Sequence, residues 1–428
     1  MATRIFVDGS VYSPVDPYAT ALLTEDGVVR WVGSDAGARS IADESTEVVE
    51  LDGALLTPAF ARALAPVGGK EPVEILEYLD VYRAVGYHTH TLLASMDDAA
   101  DLVSALRHNI EEHGPADIRL ILDASGPRVE GRERAGVDLE ELVSAIKALR
   151  PLTEGPRVEG RERAGVDLEE LVSAIKALRP LTEGPRALPG LSLTGIHVPA
   201  GLAERYAQVA EDAALVLSID ASAGFATAAE AALSIRGERP WLPIRLDAAY
   251  STAQDPISDE WLQKLAEGRV HLGLSVCEPE SDEDDEAVQA LAAGGEGQES
   301  VASVARRANA AGTSIALGSD TQLFAPGAWA LVRALVNDEH GVSARSAFAA
   351  LTRGVYRLAH EENPFMGQLA PDTPAFVTRW RVEALMVQAP DSRVASWSTD
   401  PRARIPLLPV LEDDSPLPVL ESIYTESK

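Results

Sequence analysis

Cysteine is almost missing. The 428 residues contain one, Cys277, so no internal disulfide or thiolate cluster can form and a zinc-ribbon architecture is excluded. Basic charge is scarce as well: 37 Lys and Arg stand against 67 Asp and Glu, a formal net charge of -30, which argues against nucleic acid and anionic membranes as partners. Only five of the cations are Lys. No run approaches the roughly 20 apolar residues of a membrane span, and MATRIFVDGS lacks the basic start, apolar stretch and cleavage site of a secretory leader. With one cysteine and no leader, a reducing, cytoplasmic location is expected. Nucleophile and phosphate signals are missing too. No G-x-S-x-G elbow occurs, and no Walker loop or dinucleotide fingerprint follows a strand. Cys277 lies beside acids that would raise a thiol pKa.

What is present is a chain 46% apolar, long enough for one large α/β domain or a domain with a smaller companion. Short strand-like stretches open it, RIFVDGSVYS, ATALLTEDGVVRWVGS and TEVVELDGALLT, punctuated by Gly, Asp and Ser. The same pattern returns in GQLAPDTPAFVTRW and RVEALMVQAP, so residues 1–57 and 366–410 are expected to pair into one β-sandwich, with 411–428 as an extended tail. Between them, LLTPAF, GYHTHTLL, DIRLILD, LSLTGIHV, ALVLSID, PIRLDA, VHLGLSV and TSIALGSD alternate with helix-period segments. Eight such units predict a closed (β/α)8 TIM-like barrel over 58–365, with its chemistry at the C-terminal ends of the strands.

Two features interrupt this plan. The segment 126–154 recurs without a change as 155–183. Each copy encodes a helix: Asp138 or Asp167 caps it, Leu139, Leu142, Val143, Ile146 and Leu149 or their equivalents form the apolar stripe, and Pro151 or Pro180 ends it. Two copies are too few for a solenoid. The duplication is read as functionless or as an added interaction surface. After strand seven, seven acids between Glu278 and Glu286 precede a Gly-rich stretch; the regular ligand spacing of a calcium loop is missing, and a solvated loop is expected.

FVDGSVYSPVDPYATALLTEDGVVRWVGSD with VVELDGALLTPAF, then ALGSDTQLFAPGAWALVRALV, GQLAPDTPAF and WSTDPRARIP, resemble the amidohydrolase superfamily, especially the branch of N-substituted formamide deformylases. The resemblance implies a metal-dependent hydrolase in which metal-bound water attacks an amide-like carbon. It implies His-x-His at the end of strand one, Lys or a carboxylate on strand four, single His residues on strands five and six, and Asp on strand eight.

This chain departs from that pattern. Ala61, Arg62 and Ala63 follow Phe60, and no histidine precedes His88. Asp220 and Asp247 fall where the strand-five and strand-six histidines belong, and His197 falls at the strand-four position. Only Asp320 matches, at the residue that in the family contacts metal and shuttles the proton. His197, Asp220, Asp247 and Asp320 would converge on one barrel mouth, as a one-His, three-carboxylate set suited to magnesium or manganese or as hydrogen-bonded remnants at a strand-end rim. His88 and His90 share a strand face and are read as a displaced metal pair, as polar lining of the mouth, or as half-buried histidines. His271 and His360 are expected in core or surface roles.

The sequence therefore supports an amidohydrolase-like pseudoenzyme that has lost metal-dependent hydrolysis and binds a small amide-like molecule or a protein partner. No cofactor is expected in that case; zinc, manganese or magnesium is expected if the protein is active. The alternatives are an active hydrolase of a non-peptide carbon-nitrogen bond with a carboxylate-rich site, and a scaffolding subunit. A homo-oligomer is compatible with each.

Overall fold

The computed structural model describes residues 3–67, 71–113, 116–125, 167–183, 187–249, 257–276, 299–319, 327–388, 397–398 and 406–425. Asp320, Cys277, the acidic run and the first copy of the repeat lie outside them. At the N-terminus the alternating stretches become β1 (Thr3–Val7), β2 (Ser10–Val11), β3 (Ala21–Glu25), β4 (Val28–Gly33), β5 (Glu47–Glu50) and β6 (Leu55–Pro58). Asp26 and Gly27 both take positive φ, 49° and 75°, the geometry that lets a two-residue turn follow the twist of a hairpin. They join β3 to β4.

The barrel sheet runs in chain order: β7 (Phe60–Pro66), β8 (Tyr87–Ser95), β9 (Asp117–Asp123), β10 (Leu191–Pro199), β11 (Val216–Asp220), β12 (Ile244–Ala249), β13 (His271–Val276) and β14 (Ile315–Ser319), all parallel. β14 returns beside β7, where a side-chain carbon on Gly318 would lie 2.8 Å from the Leu64 carbonyl; the barrel is nearly closed. Helices such as Met96–His113, Ala203–Asp212, Phe225–Glu238, Asp259–Glu267 and Val301–Ala311 follow the strands. Outward residues Leu120, Leu122, Ile196, Val198, Leu217, Ile219, Leu272 and Leu274 pack under these helices in one core, and each such burial stabilises by about 1.5–3 kcal/mol. Helix Arg353–Leu358 plugs the N-terminal end, with Val355, Tyr356 and Leu358 against Ala61, Ala63 and Ala316. Among the described residues, no helix is long and apolar enough to cross a membrane.

One expected strand divides. LLTP of LLTPAF forms β6 in the terminal sheets, and the first barrel strand begins only at Phe60, because Ala59 passes the chain from one sheet to the other. At the far end, β15 (Val377–Arg381), β16 (Leu385–Gln388), β17 (Trp397–Ser398), β18 (Leu408–Pro409) and β19 (Val419–Tyr424) complete the small sheets. Their orders are β4-β3-β1-β5, β19-β15-β6-β2 and β17-β16-β18. The first two share a core of Phe6, Leu22, Val29, Leu51, Leu56, Leu369 and Val377. The 411–428 tail is thus not only extended: β19 pairs antiparallel with β15.

Sandwich and barrel meet at an aromatic seam. Trp380 of β15 donates to Thr378 Oγ1 (2.8 Å) and Thr57 Oγ1 (3.0 Å), and its ring lies among Phe60 (5.9 Å) and Trp329 (5.8 Å). Gly86, at φ 96°, leaves room for that ring; a side-chain carbon there would sit 2.5 Å from it. In the second repeat copy, Asp167 caps helix Leu168–Thr182 by accepting from Glu169 N (2.8 Å), and Leu171, Ile175 and Leu178 are buried. Pro180 does not end this helix. It falls in the last turn, where a missing N–H costs a single bond, and Glu183 N still reaches the Arg179 carbonyl (2.8 Å).

Candidate functional site

Arg245 and Asp247 are two residues apart on β12, so strand alternation sends both side chains into the barrel. There the Arg245 Nε donates to Asp247 Oδ2 (2.7 Å), and one terminal nitrogen serves both Asp247 Oδ1 and the Ala63 carbonyl of β7 (2.9 Å). On the neighbouring β11, Ser218 Oγ donates to Asp247 Oδ2 (2.5 Å) and lies 2.6 Å from His197 Nδ1 on β10. With the serine proton on the carboxylate side, His197 Nδ1 is the donor and Nε2 carries the lone pair. All four side chains are buried. Gly273 on β13 belongs to the same packing, because a side chain there would collide with the Asp247 carboxylate. The result is an Arg–Asp–Ser–His chain of hydrogen bonds across three strands, anchored to a fourth.

The other candidates divide around it. Asp220 pairs in register with Asp247, but it is partly exposed and its Oδ1 accepts from Ser222 N (2.9 Å). His88 and His90 face away from the interior, which Thr89 occupies with its bond to Tyr356 (2.7 Å). The His88 ring lies 4.2 Å from that of Phe376, and His90 packs edge-on to Tyr82. Beside them the buried Arg62 lies over the Tyr82 and Tyr78 rings, at 3.8 and 4.6 Å. Burial drives the His88 pKa down to about 4, with Asp117 opposing and Arg83 reinforcing. His90 is pushed well below the usual histidine value by burial and then by Arg62. These are buried neutral histidines: they do not line the mouth, and they are more deeply buried than half.

No protein-family model and no curated protein sequence matches the chain. Solved structures do. N-isopropylammelide isopropylaminohydrolase from Burkholderia multivorans is similar at a TM-score of 0.57 and 12% identity, over 90% of this chain and 93% of that one. An adenosine deaminase from Xanthomonas campestris with bound zinc gives 0.56 and 13%, over 90% and 85%. An amidohydrolase from an environmental sample of the Sargasso Sea gives 0.56 and 14%, over 89% and 85%. The fold is that of the amidohydrolases.

A resident divalent metal on this amidohydrolase fold needs several lone pairs aimed at one point. Here Asp247 spends both oxygens on the Arg245 guanidinium and on Ser218, which leaves the Nε2 of His197 as the one lone pair this chain of hydrogen bonds keeps free. Among the described residues no group of three His, Cys, Asp or Glu side chains could hold an ion. Asp320 lies outside the described residues, and the described members of the set, His197, Asp220 and Asp247, do not by themselves fit a metal. Sequence reasoning had singled out His197 and Asp247 but missed Arg245 and Ser218, which decide what those two can do. The signal was available in PIRLDA: Arg-x-Asp on a buried strand places a cation and a carboxylate on one face.

Proposed function

We propose that this protein uses its amidohydrolase fold to bind rather than to hydrolyse, as a pseudoenzyme whose barrel receives a small amide-like molecule or a protein partner. The reading is carried by the guanidinium on Asp247. Arginine cannot give up its proton in a protein, so the carboxylate expected to join a metal set is already neutralised. A dication about 5 Å from a guanidinium is repelled by roughly 7 kcal/mol at an effective dielectric near 20. The resemblance in fold to an aminohydrolase and a deaminase supports a pocket for a molecule bearing a carbon-nitrogen bond.

The test is metal stoichiometry, by inductively coupled plasma mass spectrometry, on protein purified without chelator and again after incubation with zinc or manganese. Substoichiometric metal in both samples, with no turnover of amides or cyclic imides, is the expected result. Near-stoichiometric metal accompanied by turnover would replace this reading with the active, carboxylate-rich hydrolase.

A further inference from the structure

We infer that the N-terminal end of the barrel, opposite the mouth, carries a binding site for a small organic anion built on a planar ring. Four chain segments converge there: the last turn of helix Phe225–Glu238 and the loop after it bring Arg236 and Trp241, the turn after helix Asp259–Glu267 and the start of β13 bring Arg269 and His271, the turn before β14 brings Thr313 and Ser314, and His360 follows helix Arg353–Leu358. They enclose a cleft of about 400 Å³, within the range of small-molecule sites.

Its electrostatics reverse those of the chain. In a protein of net charge -30, the charged lining of this cleft is Arg236 and Arg269, with no carboxylate among the lining residues. Arg236 donates to two carbonyls, Pro240 (2.9 Å) and Arg269 (3.1 Å), and its Nε is buried with no hydrogen-bond partner among the described residues. Burial and the charge of Arg269 both lower its pKa: two cations face each other, and an anion between them would relieve the repulsion. His271 and His360 stack with ring centres 4.5 Å apart. Burial lowers them to about 3 and about 4, so both are uncharged; His360 Nε2 donates to the Ile244 carbonyl (3.3 Å), which leaves His271 as the imidazole able to donate to a ligand. The Debye length of about 8 Å at physiological salt screens the acidic remainder of the surface, leaving the local pair to dominate at contact.

The planar ring is required by Trp241. It is 87% exposed, the most exposed large apolar side chain among the described residues, and it forms one wall of the cleft. Arg269 and His360 are set at the cleft by helix ends: each takes the left-handed conformation just past a helix, at φ 53° in both cases, where the next residue's N–H closes the last turn onto Leu265 or Tyr356. The site owes nothing to the barrel mouth and stands whether or not the mouth binds metal.

Isothermal titration calorimetry of the full chain with AMP, benzoate, adenosine and inorganic phosphate tests it. AMP or benzoate should bind with a Kd below about 1 mM, whichever is tighter identifying the headgroup as phosphate or carboxylate, while adenosine should not bind. Arg269→Gln and Trp241→Ala, both at exposed positions, should each weaken binding by about tenfold or more with unchanged melting temperature. The inference is overturned if neither ring-bearing anion binds, if adenosine binds as tightly as AMP, if inorganic phosphate alone matches the tighter ligand, or if both variants bind like the parent.

Discussion

Replacing Arg245 by Met keeps much of the side-chain length and removes the charge. Asp247 is 4% exposed, and three of the hydrogen bonds to it, two from Arg245 and one from Ser218, fall to one. Breaking a buried ion pair by removing one partner costs about 3–5 kcal/mol, because the surviving charge is left without compensation. Gly273 leaves no space for the carboxylate to move away, so relaxation recovers little. At roughly 2 °C per kcal/mol for a chain of several hundred residues, differential scanning calorimetry should show the Arg245→Met transition about 6–10 °C below the parent. The double variant Arg245→Met/Asp247→Asn removes both charges and should regain more than half of the loss, giving a coupling of about 2 kcal/mol or more. A single variant melting within about 1 °C of the parent, or a double variant equal to the sum of the singles, would refute the pairing and the functional reading built on it.

Other outcomes follow from the same packing. The folded-state pKa of His88, about 4, lies below the unfolded value of about 6.5, so its contribution is complete above about pH 6.5 and is lost as pH falls toward 4. That loss is on the order of 3 kcal/mol when titration is complete, and urea melts of His88→Leu should be flatter than the parent's between about pH 7 and pH 4.5. Gly86→Ala adds a carbon against Trp380 at a left-handed φ and should destabilise by about 1–3 kcal/mol, read as a lowered melting temperature with the seam's tryptophan fluorescence shifted; an unchanged melt would remove Gly86 from the seam. Deleting 126–154 leaves a sequence that still encodes the capped helix with Leu171, Ile175 and Leu178, so its melting temperature should stay within about 2 °C of the parent's, since shortening the chain between β9 and that helix changes loop entropy by only about 0.6 kcal/mol per halving. A collapse of soluble expression would show that both copies are built into the packing.

Local signals carried much of the architecture. Hydrophobic runs bounded by turn residues located the barrel strands, and Asp167 marked a helix start, because each depends on a few neighbouring residues. Side-chain direction was harder. The alternation of His88 and His90 shows that they share a face, but which face is set by register shifts between β7 and β8, at Phe60/Ala61 and Arg62/Ala65, and those depend on tertiary pairing. Asp247 was legible as a strand-end carboxylate, yet its partner chain includes Ser218 on another strand and the Ala63 carbonyl on a third. The cleft with Arg236, Trp241, Arg269 and His360 was illegible for the same reason: its walls come from four chain segments, each ordinary when read alone.

The hydrogen bond between the hydroxyls of Thr57 and Thr378 spans 321 residues. At a ribosomal pace of about 5–20 residues per second, β6 emerges roughly 15–60 s before the strand that will cover it. During that interval the β6 edge, with Leu55 and Leu56, has no partner on that side while the whole barrel is being synthesised. The barrel can begin to close on itself, but the sandwich must wait, and nascent chains stalled before β15 would present an open apolar edge to one another. A ribosome-bound chain of this protein is therefore most in need of a chaperone after its largest domain has been made, not before.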